Sequence, residues 1–183
     1  MKLLIISDIH GIKTNLDKIR EVYIKEKCDK LVVLGDIYYI GPRNNMIPGY
    51  DINEVKKFLE SFKEDIICLM GNCDSIIDKQ ITNFPMIPEL EYIPLDGLNL
   101  YFTHGHTYNM DNYEKIIGNA VLIYGHLHIP FIKQSDNKYF INPGSISLPK
   151  DGNLPTYMIY ENRKFTIYDI EDNLIEELEI PKQ

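Results

Sequence analysis

Residues 3–10 read Leu-Leu-Ile-Ile-Ser-Asp-Ile-His, and this segment gives the strongest indication of the fold. Four apolar residues are followed at once by polar ones, which is typical of a short buried strand that ends at a polar loop. Asp8 and His10 stand two positions apart, so their side chains can project to the same side of the strand end. The stretch therefore predicts a buried strand whose end presents two potential metal ligands.

The same arrangement occurs four more times along the chain. The further motifs are Gly35-Asp36, Gly71-Asn72-Cys73-Asp74, His104-Gly105-His106 and Gly125-His126-Leu127-His128, each directly after an apolar strand. Ligands of open α/β sheets bind beyond the carboxyl ends of the strands, so we expect all five motifs to converge on one edge. The glycines before Asp36, Asn72 and His126 allow the backbone to turn sharply there.

Histidine usage supports a metal site. The chain has five histidines, and all five lie in these motifs. Imidazole and carboxylate ligands together suit Mn²⁺, Zn²⁺, Fe²⁺ or Ni²⁺ better than Ca²⁺. Because there is no closed set of thiolate ligands, the pattern indicates a catalytic site and not a structural one.

The rest of the sequence predicts an α/β protein. Helices are expected over residues 14–27, with Thr14 or Asn15 as the N-cap, and after an Asp51 cap, between buried strands at 31–34 and 66–70. This alternation favours a parallel sheet. The second half predicts hairpins around Asp96-Gly97, Asp136-Asn137 and Glu161-Asn162, a short helix at 111–117 and strands at 121–124 and 174–180. We expect one domain over residues 1–183, with two packed sheets and helices outside.

Composition narrows the classes of function. The 183 residues are 44% hydrophobic and 25% charged, as in a globular domain. A net charge of −8 argues against an extended nucleic-acid partner or a membrane surface. Three cysteines favour reduced thiols, with Cys28 and Cys68 in the core. The apolar run at the N-terminus is too short for a signal peptide, and no stretch approaches the roughly 18 apolar residues of a membrane span. We therefore expect a cytoplasmic protein.

The ordered motifs resemble those of the calcineurin-like metallophosphoesterase superfamily. Within it, the chain length and the stretch Gly41-Pro42-Arg43-Asn44 resemble the small bacterial and archaeal phosphodiesterases of the YfcE type. The resemblance extends from Met1 to about Tyr160. It implies a four-layer α/β/β/α sandwich of two mixed sheets and a centre of two divalent metal ions. Mn²⁺ is the leading candidate, and Ni²⁺, Zn²⁺, Fe²⁺ and Mg²⁺ are the alternatives.

The resemblance also implies roles for individual residues. One metal ion would be held by Asp8, His10 and His128, the second by Asn72, His104 and His126, and Asp36 would bridge the two. The implied catalytic residues are Asp36, Asn72, Cys73 and His104, and the implied substrate-binding residues are Arg43, Asn44 and Asn72.

The chemistry of such a centre agrees with phosphoester hydrolysis. Two ions about 3.5–4 Å apart can share a carboxylate and a water, and a bound water titrates near neutrality, so a hydroxide is available. Two divalent ions and the carboxylates of Asp8 and Asp36 sum to about +2, which attracts a phosphate anion. In-line attack by the hydroxide expels the alcohol while the metals stabilise the developing charge.

Several residues allow two interpretations. Cys73 stands where relatives often carry a histidine that assists the leaving group, and a thiol with a pKa near 8.5 is a poor acid for an alkoxide. Under the functional interpretation, the enzyme acts on substrates with good leaving groups, or solvent protonates the leaving group. Under the structural interpretation, Cys73 only fills space beside the metal ions. His106 either binds metal or faces the site from behind the ligands. Asp74 either caps the following helix or orients a ligand.

The loop and the tyrosines are equally open. The guanidinium of Arg43 is suited to bidentate contact with a phosphate. Under one interpretation, Arg43 or Asn44 contacts the substrate or a neighbouring subunit. Under the other, the loop side chain is solvated. Tyr38 and Tyr39 either line a pocket or subunit contact or pack in the core.

The leading function is a phosphodiesterase acting on a small substrate. A phosphomonoesterase or nucleotidase would use the same centre, whereas a nuclease on duplex DNA would need a basic surface. A scaffold resembling the retromer subunit of this fold is the alternative from another class, and the complete ligand set argues against it. The resemblance also implies a homo-oligomer, a dimer or a tetramer, with the strand at 174–180 a candidate for edge pairing.

Overall fold

The structure, a computed structural model, describes residues 1–41 and 47–182. Its strands are β1 (Leu3–Ile6), β2 (Lys30–Val33), β3 (Ile66–Leu69), β4 (Met86–Ile87), β5 (Leu90–Leu95), β6 (Leu98–Thr103), β7 (Ala120–Tyr124), β8 (Pro130–Ser135), β9 (Lys138–Pro143), β10 (Thr156–Glu161), β11 (Lys164–Asp169) and β12 (Leu174–Glu179). Its helices are α1 (Leu16–Lys25), α2 (Ile52–Glu60) and α3 (Ile76–Ile81). No helix among these is long and apolar enough to cross a bilayer.

The first sheet has the strand order β12-β11-β10-β1-β2-β3-β4. Strands β1 to β4 are parallel, as the alternation of apolar runs and helices predicted, and β10 to β12 add to β1 as an antiparallel meander. Strand β1 is buried on both faces: Leu4 belongs to the core beneath the helices, and Leu3 belongs to the core between the sheets. This explains why the strand reads as a continuous apolar run.

The second sheet has the order β5-β6-β7-β9-β8, with β6, β7 and β9 parallel and the outer strands antiparallel. The predicted hairpins at Asp96-Gly97 and Asp136-Asn137 are present, and Asp96 and Gly97 have φ of 51° and 76°, as a two-residue hairpin turn requires. The third hairpin turns one residue later than predicted. Its positive φ values fall at Asn162 and Arg163.

Apolar side chains fill the spaces on both sides of the first sheet. Helices α1 and α2 cover its outer face through Ile19, Val22, Val55, Phe58 and Leu59. The inner faces of the two sheets meet around Phe102, Ile123, Met158, Tyr160 and Phe165. The predicted sandwich of two mixed sheets is confirmed. The Asp51 cap is present too, because its Oδ1 accepts the Glu54 N–H at 3.2 Å.

The predicted helix at 111–117 is wrong. Residues 105–119 cover the outer face of the second sheet in an irregular conformation, with Tyr113 and Ile116 packed against Phe140 and its neighbours. Asparagine side chains capture the backbone here: Asn109 Oδ1 accepts the Asp111 N–H at 2.8 Å, and Asn112 Nδ2 donates to the Thr107 carbonyl at 2.7 Å. Such local bonds compete with helix formation.

Candidate metal centre

Six strand ends meet at one edge of the sandwich. Asp8, Asp36 and Asn72 follow the neighbouring parallel strands β1, β2 and β3, and His104 and His126 follow the neighbouring strands β6 and β7 of the other sheet. A sixth loop, after β9, carries Ser145 to the same place. Each sheet thus contributes three strand ends, and the predicted ligands face one another across the seam between the sheets.

Three of the histidines are fixed by backbone carbonyls. His10 Nδ1 lies 2.7 Å from the Tyr39 carbonyl, His104 Nδ1 lies 2.8 Å from the Leu34 carbonyl, and His128 Nδ1 lies 2.6 Å from the Leu148 carbonyl. A carbonyl oxygen only accepts, so each Nδ1 carries the proton. Each Nε2 is therefore directed at the carboxylates, where it donates a proton when the ring is charged and offers a lone pair to a metal ion when the ring is neutral, which is the usual arrangement of a metal-binding imidazole.

Asp8 lies where these lone pairs meet. Its Oδ1 is 3.2 Å from His128 Nε2 and 3.8 Å from His10 Nε2, and the two nitrogens are 3.4 Å apart. Asp8 is fully buried, yet its Oδ1 accepts no hydrogen bond from the residues that the structure describes. Burial by itself raises the pKa of Asp8, but His10 and His128 outweigh it and hold the pKa well below its usual range. A buried anion facing nitrogen lone pairs fits a cation between them.

Asp36 lies between this group and the second set of ligands. Its Oδ2 is 3.6 Å from His10 Nε2 and 3.4 Å from His104 Nε2, and Asn72 Oδ1 is 3.1 Å from His104 Nε2. Donor atoms of Asp8, Asp36 and His104 all lie within 4.8 Å of one another, as do those of Asp8, His10 and His128. Burial opposes a charge on His104, but Asp36 and Asp8 raise its pKa to about 9.

His126 and His106 lie farther out. The His126 N–H donates to Asp8 Oδ2 at 3.0 Å, and its ring centroid is 5.1 Å from that of His104. Burial and the neighbouring His104 lower the pKa of His126, which keeps the imidazole neutral. Among the described residues, several sets of three potential ligand atoms lie within 4.8 Å of one another, and the His126 ring belongs to none of these sets. His106 is exposed, with its ring centroid 5.4 Å from that of His104.

The backbone at the centre is unusual. Asp8, His10, Asp36, His126 and His128 all have φ between 51° and 67°, a left-handed conformation that non-glycine residues rarely adopt. Each such residue costs on the order of 1–2 kcal/mol. Strained residues of this kind cluster at functional sites, where the surrounding structure holds them. Five of the seven proposed ligands share this conformation, and seven further non-glycine residues with positive φ in the described ranges lie outside the centre.

Two glycines make room for the carboxylates. A Cβ at Gly71 would overlap Asp36 Oδ1, and a Cβ at Gly125 would overlap Ser7 Oγ and lie 2.7 Å from Asp8 Oδ2. Neither of these glycines has a positive φ, so the reason for glycine is close approach and not backbone conformation.

Asp74 orients the loop that carries Asp36. Its Oδ2 accepts the N–H groups of Asp36 and Gly71, both at 2.7 Å, and its Oδ1 accepts that of Ile37 at 2.8 Å. The following helix α3 is capped by Ser75, whose side chain forms a capping box with Asp78. Of the two interpretations of Asp74, the geometry favours orienting a ligand, and the capping interpretation is wrong.

Replacing Asp74 by asparagine should weaken metal binding about 10–100-fold, the usual effect of losing a group that orients a ligand. An amide offers one acceptor oxygen and directs N–H groups at backbone donors, so we also expect a loss of about 1–3 kcal/mol in the free energy of unfolding. Isothermal titration with Mn²⁺ and urea unfolding measure the two effects. The exposed turn variant Asp136→Asn is the matched control, and equal metal affinity in both variants would contradict the orienting role.

One part of the centre escaped the sequence patterns. Ser145 Oγ donates to the Asp8 carbonyl at 2.9 Å and accepts the Leu148 N–H at 2.8 Å, and buried Asn142 donates to the Gly125 carbonyl at 2.7 Å. These residues hold the loops of Asp8, His128 and His126 in place. A sequence pattern that could have identified them is Asn142-Pro143-Gly144-Ser145, which follows an apolar run as the five motifs do.

Cys73 lies at the centre, next to two of the proposed ligands. Its Sγ, a nitrogen of His10 and an oxygen of Asp36 lie within 4.8 Å of one another, and its N–H donates to Asp36 Oδ1 at 2.8 Å. Burial and the Asp36 carboxylate raise the pKa of the thiol to about 12. The thiol therefore stays protonated at neutral pH and is a weaker acid than its ordinary pKa predicts.

The remaining expectations have different outcomes. Arg43 and Asn44 lie outside the described residues. Tyr38 is buried, as the packing interpretation predicted, whereas Tyr39 is exposed and contributes its carbonyl to His10. Cys28 and Cys68 are buried, as predicted.

Comparison with known proteins places this geometry in a family. The model of the calcineurin-like phosphoesterase superfamily domain matches residues 1–164. The chain therefore belongs to the calcineurin-like phosphoesterase superfamily, as the motifs predicted. It is 34% identical to phosphodiesterase YfcE of Escherichia coli (strain K12), over 96% of this chain and 95% of that protein. The solved structure of YfcE, described as a phosphoesterase, superposes with a TM-score of 0.94 at 33% identity, over 99% of this chain and 100% of that one.

More distant proteins share the architecture. Phosphodiesterase MJ0936 of Methanocaldococcus jannaschii is 27% identical, over 90% of this chain and 95% of that protein. Vacuolar protein sorting 29 of Cryptosporidium parvum has the same fold, with a TM-score of 0.68 at 18% identity over 98% of each chain. The likeness to the sorting protein extends to the fold alone.

Proposed function

We propose that this protein is a metal-dependent phosphodiesterase that hydrolyses small phosphodiesters at a centre of two divalent ions. The observation that carries the proposal is the set of three histidines anchored through Nδ1, with each Nε2 directed at the carboxylates and the unpartnered Asp8 Oδ1 among them. Family membership supports the same activity, since the chain is similar to a phosphodiesterase along almost its whole length.

The proposed ligands follow the two donor groups. Asp8, His10 and His128 would hold one ion, Asn72, His104 and His126 the other, and Asp36, which faces both groups, would bridge them. Imidazole, carboxylate and amide donors support Mn²⁺ as the leading ion, with Ni²⁺, Zn²⁺, Fe²⁺ or Mg²⁺ as alternatives. When bound, such ions supply a Lewis acid for the phosphoryl oxygens and lower the pKa of water toward neutrality.

The residues of the chain have separate tasks. The carbonyls of Tyr39, Leu34 and Leu148 fix the tautomers of the ligand histidines, so no reorientation is needed when an ion binds. Asn72 Nδ2 points at Cys73 Sγ at 3.4 Å on the solvent side, where its N–H groups can donate to a phosphoryl oxygen. We propose that solvent protonates the leaving group, because a neutral thiol is a poor general acid for an alkoxide.

Exposed apolar side chains next to the centre support a diester over a monoester. Leu127, between two ligand histidines, is 41% exposed, Tyr39 is 48% exposed, and Ile76, two residues after Asp74, is 73% exposed. Apolar surface of this kind can contact organic groups on the phosphate. A diester carries two such groups and a monoester one, so the phosphomonoesterase or nucleotidase activity is the second candidate. The scaffold alternative has no observation in its favour.

The test is metal content measured together with hydrolysis. Protein stripped with chelator and reloaded with Mn²⁺, Ni²⁺, Mg²⁺ or Zn²⁺ is assayed on bis(4-nitrophenyl) phosphate and on 4-nitrophenyl phosphate. We expect two ions per chain, no activity after stripping, and a higher kcat/KM on the diester. A higher kcat/KM on the monoester would support the second candidate, and inactivity with every ion would support the scaffold.

Replacing Cys73 by histidine should raise the rate on diesters with poor leaving groups, such as alkyl esters, by about 10²-fold, because the new imidazole can act as a general acid. Hydrolysis of bis(4-nitrophenyl) phosphate, whose leaving group needs little protonation, should change much less. Cys73→Ser is the control and should match the native enzyme on both substrates. An unchanged rate of Cys73→His on the alkyl diester would mean that protonation of the leaving group does not limit the reaction.

The remaining expectations stay proposals. We propose one domain over residues 1–183, a cytoplasmic location, no extended nucleic acid and no membrane as partners, and a homo-oligomer that is a dimer or a tetramer. Edge strand β12 of the first sheet offers a surface for pairing between subunits. Light scattering after size-exclusion chromatography gives the oligomeric state directly.

A further inference from the structure

A cavity of about 690 Å³ lies at the end of the sandwich opposite the metal centre. Its walls include the Asp96-Gly97 turn, the start of β7, the β8–β9 hairpin and the tail at residues 180–182. The metal-centre loops follow the carboxyl ends of β6, β7 and β9, whereas this cavity lies at their amino ends. Six residues of strand separate the two by roughly 20 Å. The volume is within the range of small-molecule sites, about 300–1,000 Å³.

Arg163 lines this cavity and is 7% exposed. Its guanidinium donates to three carbonyls: Nε to Ile180 at 2.8 Å, Nη1 to Asp96 at 2.7 Å and Nη2 to Pro181 at 2.7 Å. Two of the five N–H groups of a guanidinium are then left over. All three acceptors are neutral, and no carboxylate of residues 1–41 and 47–182 lies within 4.0 Å of the guanidinium.

A buried cation without an anion is costly, so its presence beside a cavity needs an explanation. Asp96 is the one acidic residue among the described residues that line the cavity, and its Oδ2 accepts a hydrogen bond from the Tyr160 hydroxyl at 2.8 Å. Lys182 adds a second cation at the rim, and it forms no ion pair with the residues that the structure describes. Two cations and one carboxylate therefore line this cavity in a chain whose net charge is −8. The local field favours an anion.

The remaining wall is suited to an organic body. Leu98, Val121 and Tyr139 form the apolar part of the wall, and the amide side chains of Asn99, Asn119, Gln134 and Asn137 form the polar part. Asn99 donates to the Asn119 carbonyl and Asn137 donates to Asn119 Oδ1, so the Gln134 amide is the one left for a ligand among these four. The side chain of Gln134 is exposed and forms no hydrogen bond to any residue in the described ranges, whereas its backbone belongs to the β8–β9 pair. An apolar wall with a few convergent polar groups and one charged group is the usual composition of a small-molecule site.

We propose that this cavity binds a small organic anion, whose carboxylate or phosphate pairs with Arg163 while its apolar body lies against Leu98, Val121 and Tyr139. Arg163 already joins the β5–β6 turn of one sheet to the tail of the other. An anion on the free N–H groups completes the charge pairing of the guanidinium. The ligand then stabilises the folded protein by mass action, independently of the metal centre.

The experiment follows the Arg163 Nε–H resonance in ¹⁵N-labelled, Mg²⁺-loaded protein by NMR. Benzoate represents carboxylates, phenylphosphonate represents phosphates without being hydrolysable, and benzamide is the neutral control. We expect a saturable shift of the Arg163 Nε–H and the Gly97 amide with one or both anions and none with benzamide. Tighter binding of benzoate would identify the ligand as a carboxylate, and tighter binding of phenylphosphonate would identify it as a phosphate.

Variants separate this cavity from the metal centre. Lys182→Gln, on the exposed tail, should weaken binding a few-fold, and Arg163→Gln should weaken it about tenfold or more, since charged bidentate pairs are the strong ones. Asp36→Asn should leave the shift unchanged. The proposal is overturned if neither anion shifts the Arg163 Nε–H, if benzamide shifts it equally, or if Asp36→Asn abolishes the shift. If Arg163→Gln does not fold, the Lys182→Gln and Asp36→Asn comparisons decide alone.

Discussion

Replacing Asp36 by asparagine should reduce kcat/KM on bis(4-nitrophenyl) phosphate by about 10³-fold or more with every metal ion, since a bridging carboxylate contributes several kcal/mol. The structure gives the reason in detail. Oδ1 can keep the bond from the Cys73 N–H, which places the new amide nitrogen at the Oδ2 position. Oδ2 lies 3.4 Å from His104 Nε2 and 3.6 Å from His10 Nε2. An amide N–H there donates to the lone pairs that a metal ion needs.

The same contacts predict the stability of the Asp36 variant. Without metal it should unfold at a lower temperature than the native protein at neutral pH, because the amide cannot pair with the His104 imidazolium, whose pKa is raised to about 9 by the carboxylates against the effect of burial. The increase in Tm that Mn²⁺ gives to the native protein should be lost. Asp17→Asn, on the exposed side of α1, is the matched control for charge and should keep both activity and the metal-dependent increase. Activity of Asp36→Asn within tenfold of native would refute the bridging assignment.

A single methyl group at Gly125 should be nearly as damaging. In Gly125→Ala the new Cβ overlaps Ser7 Oγ and lies 2.7 Å from Asp8 Oδ2, so the Asp8 carboxylate has to move. A displacement of about 1 Å in a catalytic group can cost roughly 10²-fold in rate, and overpacking of this kind costs about 1–3 kcal/mol in stability. Metal affinity by titration, kcat/KM and urea unfolding together measure the effect.

A matched glycine isolates the cause. A Cβ at Gly152 meets nothing within 4 Å, so Gly152→Ala adds a methyl group without any overlap; it carries backbone strain at a φ of 76°, which Gly125 does not have, but no effect on the carboxylates. It should keep native metal affinity. Ser7→Gly combined with Gly125→Ala removes the closest overlapping atom and should recover part of the affinity. If Gly125→Ala binds metal as Gly152→Ala does, the close approach at Asp8 has no functional importance.

Sequence patterns predicted the parts of the centre that depend on local signals. Short apolar runs ending in glycine and ligand residues identified β1, β2, β3, β6 and β7, and the parallel pairing of neighbours brought their ends together. The irregular segment 105–119 was missed because its apolar spacing resembles a helix, while the competing bonds of Asn109 and Asn112 depend on geometry. Two-residue strand β4 is too short to have a period of its own.

Other features have no sequence pattern to read. The carbonyls that fix the histidine tautomers are backbone atoms, which every residue has. The pKa of Cys73 depends on burial first and on Asp36 second, and neither follows from its position in the motif. Arg163 occupies a hairpin turn, where an exposed arginine is the ordinary expectation, and only the packing of the tail against it encloses the guanidinium.

The position of β1 in its sheet has a consequence for synthesis of the chain. Leu3 pairs on one side with Lys30, which emerges soon after it, and on the other side with Tyr160, which emerges long after it. His128 is the last proposed metal ligand in the chain, so all ligands have emerged from the ribosome once His128 has emerged. The edge of β1 toward β10 is still unpaired then, because residues 156–161 emerge later. A nascent chain thus carries all its ligands while its central strand is still an unpaired edge, the kind of surface that invites aggregation. Stable metal loading is therefore expected to follow the pairing of β1 with β10.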